Sequence, residues 1–206
     1  MKLVALHGMS MNGGVMRARL GAVQRVLPEL EIVAPDAPHV CPDETVERLY
    51  AVWKEPRLEA PYLRWFDASD DGREYYGWEA SRDWLRPVLA AGPVGLIGFS
   101  QGAILATAIA ALAARGELPP IQFAILIAGR PPRADVFQPY LDRPIALPSL
   151  HVWGESDALV GNGPQMLVDL FAPEQREVAT WPGQHSIPKS GPASDAIVDF
   201  LSRQAR

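Results

Sequence analysis

The sequence contains a single cysteine, which limits its covalent chemistry but leaves its redox compartment unconstrained. Cys41 has no second cysteine to pair with, so an intrachain disulfide is excluded and the composition is compatible with the cytoplasm. Cys41 lies beside Pro42 in a polar connection, without the strand-to-helix context of a nucleophile, and we interpret it as a bystander. We therefore predict a cytoplasmic protein whose chemistry does not depend on its thiol.

Clusters of basic residues are also absent. The formal net charge is -5 and no run of lysine or arginine occurs, which argues against nucleic acid or an anionic membrane surface as the main partner. We expect a small molecule to be the partner instead.

Long apolar runs are absent as well. The longest, residues 103 to 114, is too short to cross a bilayer, and the apolar opening at residues 1 to 6 is too short for a signal peptide. The chain has no internal repeat, linker or low-complexity tract. Its 206 residues, 48% of them hydrophobic, suffice for one substantial core. We expect a single domain over residues 1 to 206.

Short apolar runs alternate with amphipathic stretches along the chain. The apolar runs predict strands at residues 2–6, 31–34, 94–99, 122–127, 149–153 and 177–181. The amphipathic stretches predict helices at residues 15–27, 43–53, 79–90, 101–115, 163–171 and 193–203. This alternation indicates an α/β fold, with a doubly wound, mostly parallel sheet of about six strands and helices on both faces. No connection is long enough for a large cap domain.

The motif Gly98-Phe99-Ser100-Gln101-Gly102 lies directly between a predicted strand and a predicted helix. A G-x-S-x-G sequence in this context is typical of a nucleophile elbow, in which a strained turn exposes the serine hydroxyl. The two glycines avoid a collision where strand and helix approach closely. The alternative interpretation is a turn whose serine only caps the helix. We predict that Ser100 is a catalytic nucleophile.

A serine nucleophile needs a base and a carboxylate, which follow it along the chain in this fold. His7 and His39 precede the serine, and His151 lies within a predicted buried strand, where a local hydrogen bond is its expected role. His185 follows a late strand and a short loop, so we predict that it is the base. For the carboxylate we favour Asp157, just past the strand at 149–153, over the alternatives Glu155, Asp135 and Asp142.

The oxyanion of an acyl-transfer reaction requires two hydrogen-bond donors. We predict that these are the backbone N–H of Gln101, next to the nucleophile, and that of Met9, in the loop after the first strand. In that loop, Asn12 is expected to bond its own backbone.

More than half of the aromatic residues lie between positions 50 and 84. We interpret Trp53 and Trp84 as helix residues packed on the sheet. Trp65 and Phe66 stand in a stretch of acids and a glycine, and we predict that they form a wall of the acyl pocket.

Six ordered blocks of the sequence together resemble the FSH group of serine hydrolases. They are 6–8 with 12–13, 36–39, 98–103, 123–129, 148–157 and 183–188. The resemblance runs from the first strand to the last helix. It implies an α/β-hydrolase fold, hydrolysis of carboxylic esters or thioesters without a cofactor or metal, and a triad of Ser100, Asp157 and His185.

Taken together, these observations predict a serine hydrolase that cleaves carboxylic esters of small or medium acyl chains by two-step acyl transfer. A thioesterase acting on acyl groups of CoA or carrier proteins is the first alternative. A small-molecule receptor with vestigial chemistry is the second, and the complete triad disfavours it.

Overall fold

The computed structural model describes residues 1–53, 56–92 and 94–205. Its strands, in chain order, are β1 Lys2–Leu6, β2 Glu31–Val33, β3 His39–Val40, β4 Leu63–Arg64, β5 Asp67–Ala68, β6 Tyr75–Tyr76, β7 Val94–Phe99, β8 Ile121–Ile127, β9 Ser149–Gly154 and β10 Arg176–Trp181. Its α-helices are α1 Gly13–Arg19, α2 Gly21–Val26, α3 Asp43–Trp53, α4 Trp78–Ala90, α5 Gln101–Ala114, α6 Gly163–Val168 and α7 Pro192–Gln204. Short 3₁₀ helices span Asp135–Tyr140 and Pro173–Gln175.

Six strands form the central sheet in the order β2-β1-β7-β8-β9-β10, and all neighbouring pairs are parallel. These are the six strands that the apolar runs predict, with bounds that differ by at most one residue. The doubly wound α/β architecture is therefore confirmed.

Side chains of the central strands alternate between two hydrophobic cores, one on each face of the sheet. Leu96 and Leu126 point into the core that α4, α5 and α6 complete. Ile97 and Ile125 point into the other, which α1, α2, α3 and α7 complete. Burial on both faces explains why these strands read as continuous apolar runs. None of the helices in the described part of the chain combines the length and hydropathy that a bilayer span requires.

The order of the strands reverses at β1, which has β2 on one side and β7 on the other. In an open parallel sheet, such a reversal leaves a crevice at the carboxyl ends of the two central strands. Leu6 is the register partner of Gly98, so the loop after β1 and the turn after β7 emerge side by side. This crevice is where the predicted nucleophile lies.

The main differences from the prediction lie in the connections. The helix expected at 15–27 is broken at Leu20 into α1 and α2, and α6 ends at Val168 instead of at residue 171. Two antiparallel strand pairs, β3 with β4 and β5 with β6, were not predicted, because strands of two residues are too short to show an alternating pattern. The expectation for Trp84 was wrong: its side chain is 57% exposed, and its Nε1 donates to the Asp36 carbonyl.

Candidate active site

Ser100 forms the turn between β7 and α5, at the carboxyl edge of the sheet. Its φ of 53° and ψ of -115° are strained for a residue with a side chain, and its N–H donates to the Ile127 carbonyl at 2.9 Å. A Cβ at Gly98 would lie 2.4 Å from the Gly102 carbonyl oxygen, and one at Gly102 would lie 2.1 Å from that of Leu6. The predicted strand, turn and helix are confirmed, together with the steric reason for both glycines.

A chain of hydrogen bonds leads away from the serine hydroxyl. The Nε2 of His185 lies 2.9 Å from the Ser100 Oγ, and its Nδ1 lies 2.7 Å from the Asp157 Oδ2. A carboxylate only accepts, so the proton of the neutral imidazole belongs on Nδ1 and Nε2 accepts from the hydroxyl. The second carboxylate oxygen, Oδ1, accepts from the Leu159 N–H at 3.0 Å. The structure thus brings together the three side chains that the sequence singled out.

Backbone contacts between the loops after β9 and β10 hold the carboxylate near the imidazole. The Glu155 N–H donates to the Trp181 carbonyl at 2.8 Å, and the Ser156 N–H donates to the Gly183 carbonyl at 2.9 Å. A Cβ at Gly154 would lie 2.3 Å from the Gly183 oxygen. Glycine at the end of β9 therefore allows the two loops to lie in direct contact.

The other candidate carboxylates face different partners. Glu155 accepts from a threonine hydroxyl on β10 at 2.9 Å and is exposed. Asp135 pairs with Arg73, and Asp142 pairs with Arg115. None of these three carboxylates contacts the candidate base within the described residues, so the geometry favours the acid that we preferred from spacing.

Two other histidines make local contacts. His151, on β9, lies with its Nε2 3.1 Å from the Ser149 Oγ, which confirms the predicted local hydrogen bond. Its Nδ1 has no partner among the described residues, and burial lowers its pKa to about 3. The Nε2 of His39 lies 2.9 Å from the Gly77 carbonyl oxygen.

His7 shapes the loop after β1, a role that its sequence position did not reveal. Its Nδ1 lies 2.8 Å from the Gly8 carbonyl oxygen, and its Nε2 accepts from the Ala37 N–H at 3.1 Å. These contacts require a neutral ring protonated on Nδ1. Burial lowers the pKa of His7 to about 4, which favours the same neutral form. The only signal in the sequence was a histidine placed directly between a strand and a glycine.

Met9 and Gln101 line the same cavity as Ser100, and the role predicted for them belongs to their backbone N–H groups. Across residues 1–53, 56–92 and 94–205, neither of these N–H groups donates to another protein group. Both are available to an acceptor in the cavity, as the predicted oxyanion role requires, and that role stays a prediction. As expected, Asn12 braces the loop through its own backbone, since its Oδ1 accepts from the Val15 N–H at 2.9 Å.

The prediction that Trp65 lines the pocket was wrong. Its side chain is fully buried, and its Nε1 donates to the His7 carbonyl at 2.8 Å. Phe66 does line the cavity, stacked on Tyr75 with ring centroids 4.1 Å apart. The Gln101 side chain fixes this segment: its Oε1 accepts from the Trp65 N–H and its Nε2 donates to the Phe66 carbonyl, both at 2.8 Å. Trp65 therefore supports the wall from behind.

The cavity beside Ser100 has a volume of about 260 Å³. Most of its wall is apolar, including Phe66, Tyr75, Phe99, Ile104, Leu159 and Val160. Trp53 also lines it and donates its Nε1 to the His185 carbonyl at 2.6 Å, a contact that joins α3 to the histidine loop. Arg130 and Arg133, just after β8, add two positive charges to the wall. No motif in the sequence had singled out these two arginines.

A family model described as "Serine hydrolase (FSH1)" matches residues 1–197. The chain belongs to the FSH1 family of serine hydrolases. Two curated esterases agree with this assignment. Esterase AGAP003155 of Anopheles gambiae is 32% identical over 222 residues, covering 99% of this chain and 78% of the relative. Esterase OVCA2 of Homo sapiens is 31% identical over 224 residues, covering 100% and 97%. The FSH1 resemblance seen in the sequence is confirmed, and the protein is an enzyme of the esterase class.

A solved structure shows the same fold as this FSH1-family chain. Zea mays acyl-protein thioesterase 2 superposes with a TM-score of 0.70 at 20% identity, covering 100% of this chain and 94% of the other. At this identity the likeness speaks for the fold alone. The predicted α/β-hydrolase fold without a large cap domain is confirmed.

Proposed function

We propose that this enzyme hydrolyses carboxylic esters of small or medium acyl chains through an acyl-enzyme intermediate on Ser100. The Ser100 Oγ attacks the ester carbonyl while the His185 Nε2 takes its proton, and that proton then passes to the leaving alcohol. Asp157 holds the imidazole in the tautomer with the proton on Nδ1. A water molecule, activated by the same imidazole, then attacks the acyl-enzyme and releases the acid.

The observation that carries this proposal is the continuous hydrogen-bonded path from hydroxyl to carboxylate. Its two contacts, 2.9 Å and 2.7 Å, lie within the range at which a base takes a proton and a carboxylate orients the base. The carboxylate side chain is 1% exposed. A carboxylate shielded from solvent stabilises the imidazolium that forms during attack more strongly than a solvated carboxylate would.

The two free N–H groups of Met9 and Gln101 support the oxyanion role in this mechanism. They come from neighbouring loops, after β1 and β7, and Gln101 is also the first residue of α5. The positive end of a helix dipole favours the negative charge that develops on the carbonyl oxygen.

The size and lining of the cavity support the proposed acyl chain length. A volume of about 260 Å³ is near the lower end of ligand pockets, roughly 300 Å³. Its apolar wall suits a hydrocarbon chain, and its modest volume favours short over long chains. The mechanism needs no cofactor, and the predicted cytoplasmic location rests on composition alone.

The test is hydrolysis of a series of 4-nitrophenyl esters from acetate to palmitate, with burst kinetics and fluorophosphonate labelling. We expect one burst equivalent, labelling on Ser100, and the highest kcat/KM at short or medium chains. Ser100→Ala is expected to abolish the burst and the label, and Ser190→Ala, at an exposed serine, serves as the matched control. Undiminished turnover in Ser100→Ala would contradict the proposal.

Adding acyl-CoA substrates and a binding measurement to these assays separates the alternatives. The acyl-enzyme chemistry accepts either a thiol or an alcohol as leaving group. A thioesterase would therefore be recognised by a higher kcat/KM for acyl-CoA than for the matching oxygen ester. A receptor would bind esters without turning them over. Turnover of oxygen esters with the stated serine dependence would exclude the receptor.

A further inference from the structure

The charged residues of the cavity wall have one sign. Arg130 and Arg133 line the cavity, and no carboxylate is among its lining residues in the described part of the chain. This contrasts with the whole chain, whose formal net charge is -5. Both arginines follow β8, so they lie on the opposite side of β7 from the Met9 loop. The cavity is therefore a local positive region in an acidic protein.

Specific contacts hold both arginines at this wall. The Arg130 Nη2 donates to the Leu159 carbonyl at 2.7 Å, which leaves most of its five N–H donors for other acceptors. The backbone N–H of Arg133 donates to the Tyr75 hydroxyl at 3.0 Å. The Arg133 guanidinium lies so close to Gly72 that a Cβ there would meet its Nη2 at 2.1 Å. The fold thus makes room for this guanidinium.

Neither guanidinium is neutralised by a carboxylate of the described residues. Within the described residues, Arg130 and Arg133 form no ion pair, whereas Arg73, Arg115 and Arg203 each pair with a carboxylate. Burial raises the pKa of the Tyr75 hydroxyl. The hydrogen bond from the Arg133 backbone and the charges of both arginines act in the opposite direction and lower this pKa. Two arginines and this tyrosine therefore line one cavity, and no carboxylate of the described residues pairs with either arginine.

We propose that Arg130 and Arg133 form an anion-binding subsite of the active-site cavity, so that the preferred substrate is an ester that also carries a carboxylate or a phosphate. This inference rests on the proposed function for its substrate class. A planar guanidinium binds such groups through charge-assisted, often bidentate hydrogen bonds. The anion would act as a counter-ion to both arginines, and the positive wall offsets the repulsion that an acidic protein exerts on an acidic substrate.

The main test compares two substrates that differ in charge at nearly constant shape. These are the 4-nitrophenyl monoester of glutaric acid and its neutral methyl ester, and the readout is the ratio of their kcat/KM values. We expect the wild type to favour the acid by about tenfold to a hundredfold, the range of a hydrogen bond to a charged group. The double variant Arg130→Gln/Arg133→Gln is expected to reduce the ratio to about one or below. The preference of the wild type should also shrink at high salt.

Three further variants control for loss of charge and loss of shape. Arg143→Gln removes an exposed arginine that does not line the cavity, and it should keep the wild-type ratio. Arg130→Lys keeps the charge but loses the planar fork, so it should retain part of the preference. Arg133→Gln alone changes an exposed side chain, so its effect on the ratio is measurable even if the double variant folds poorly. A preference for the acid that stays unchanged in the arginine variants would overturn the proposal, and so would a wild-type ratio of about one or below both here and in the second pair of substrates described next.

A second pair of substrates locates the anion. Acetyl-CoA carries phosphates in its leaving group, and S-acetyl-N-acetylcysteamine is a neutral thioester with the same acyl group. If only acetyl-CoA is preferred over its neutral partner, and this preference depends on the arginines, the anion belongs to the leaving group. If only the glutarate monoester is preferred in this way, the anion belongs to the acyl chain. Either result supports the subsite, and a preference in neither pair refutes it.

Binding without turnover separates the subsite from the proposed catalysis. In Ser100→Ala, calorimetry should show tighter binding of monomethyl glutarate than of dimethyl glutarate, and Arg130→Gln/Arg133→Gln in the same background should abolish the difference. If the wild type hydrolyses no ester, the proposed function fails while this measurement still decides the subsite. If neutral esters are hydrolysed but neither this binding difference nor an arginine-dependent preference in either pair of substrates is found, the subsite fails and the hydrolase stands.

Discussion

Two buried imidazoles should make the stability of this protein depend steeply on pH. Burial lowers the pKa of His7 to about 4 and that of His151 to about 3, from the ordinary value of 6.5. Their side chains are nearly inaccessible, with exposures of 0% and 1%. In the unfolded chain both rings are solvated and regain the ordinary pKa.

Whether stability rises or falls with pH depends on which state, native or unfolded, binds more protons. Below pH 6.5 the unfolded chain takes up a proton at each ring, whereas the native protein keeps both rings neutral until about pH 4. The native state therefore loses stability as the pH falls through this window, by about 1.4 kcal/mol per pH unit for each ring. Between pH 6.5 and 4.5 the two rings together cost about 5 kcal/mol, a large part of the roughly 5 to 15 kcal/mol of an ordinary domain.

The assay is urea denaturation at fixed pH values between 7.5 and 4.5, followed by tryptophan fluorescence and circular dichroism. The free energy of unfolding is extrapolated to water at each pH. We compare the wild type with His7→Gln and His151→Gln, in which a neutral amide replaces the titrating ring. Each variant is expected to show a slope shallower by about 1.4 kcal/mol per pH unit, whatever its absolute stability.

Ser149→Ala is the matched control for His151. It removes the hydroxyl that contacts the ring but keeps the imidazole, so the steep slope should persist in a less stable protein. Parallel stability curves for the wild type and both glutamine variants would refute the reasoning, because the buried rings would then contribute no linked protons.

Three other substitutions test the site. Asp157→Asn should lower kcat by about 10⁴-fold by favouring the wrong imidazole tautomer, whereas Glu155→Gln should stay near wild type in the same steady-state assay. Gly102→Ala places a Cβ 2.1 Å from a carbonyl oxygen of β1, and we expect a loss of more than about 2 kcal/mol in urea denaturation; a wild-type midpoint would contradict the close approach of α5 and β1. Gln101→Leu leaves two buried backbone groups unpaired, so we expect a loss of about 2 to 5 kcal/mol of stability and lower activity. Full activity in this variant would show that the Phe66 wall does not depend on the Gln101 side chain.

Much of the candidate site was predictable because its signals are local. The elbow motif carries its own flanking strand and helix, and the order of serine, acid and histidine follows from the fold class. The choice of Asp157 over Glu155, two residues away, rested on spacing. The geometric reason is now visible: Asp157 lies 2.7 Å from the imidazole, whereas Glu155 accepts from a threonine hydroxyl at 2.9 Å.

The aromatic segment was less predictable because its residues act across long stretches of sequence. Trp65 and Phe66 are neighbours, yet one is buried against the His7 carbonyl and the other faces the cavity. Trp53 reaches a carbonyl 132 residues away. Composition identifies such side chains as apolar, but only the packed chain determines which face of a short segment meets the core.

The sequence by itself determined the six strands, the helices between them and the strained turn at Ser100, because apolar periodicity and glycine sterics act over a few residues. Tertiary structure alone decided that Arg130 and Arg133 border the cavity, unpaired with any described carboxylate, and that the Gln101 side chain fixes its wall. These features depend on loops from different strands meeting at one edge of the sheet, and no local pattern encodes which side chains meet there.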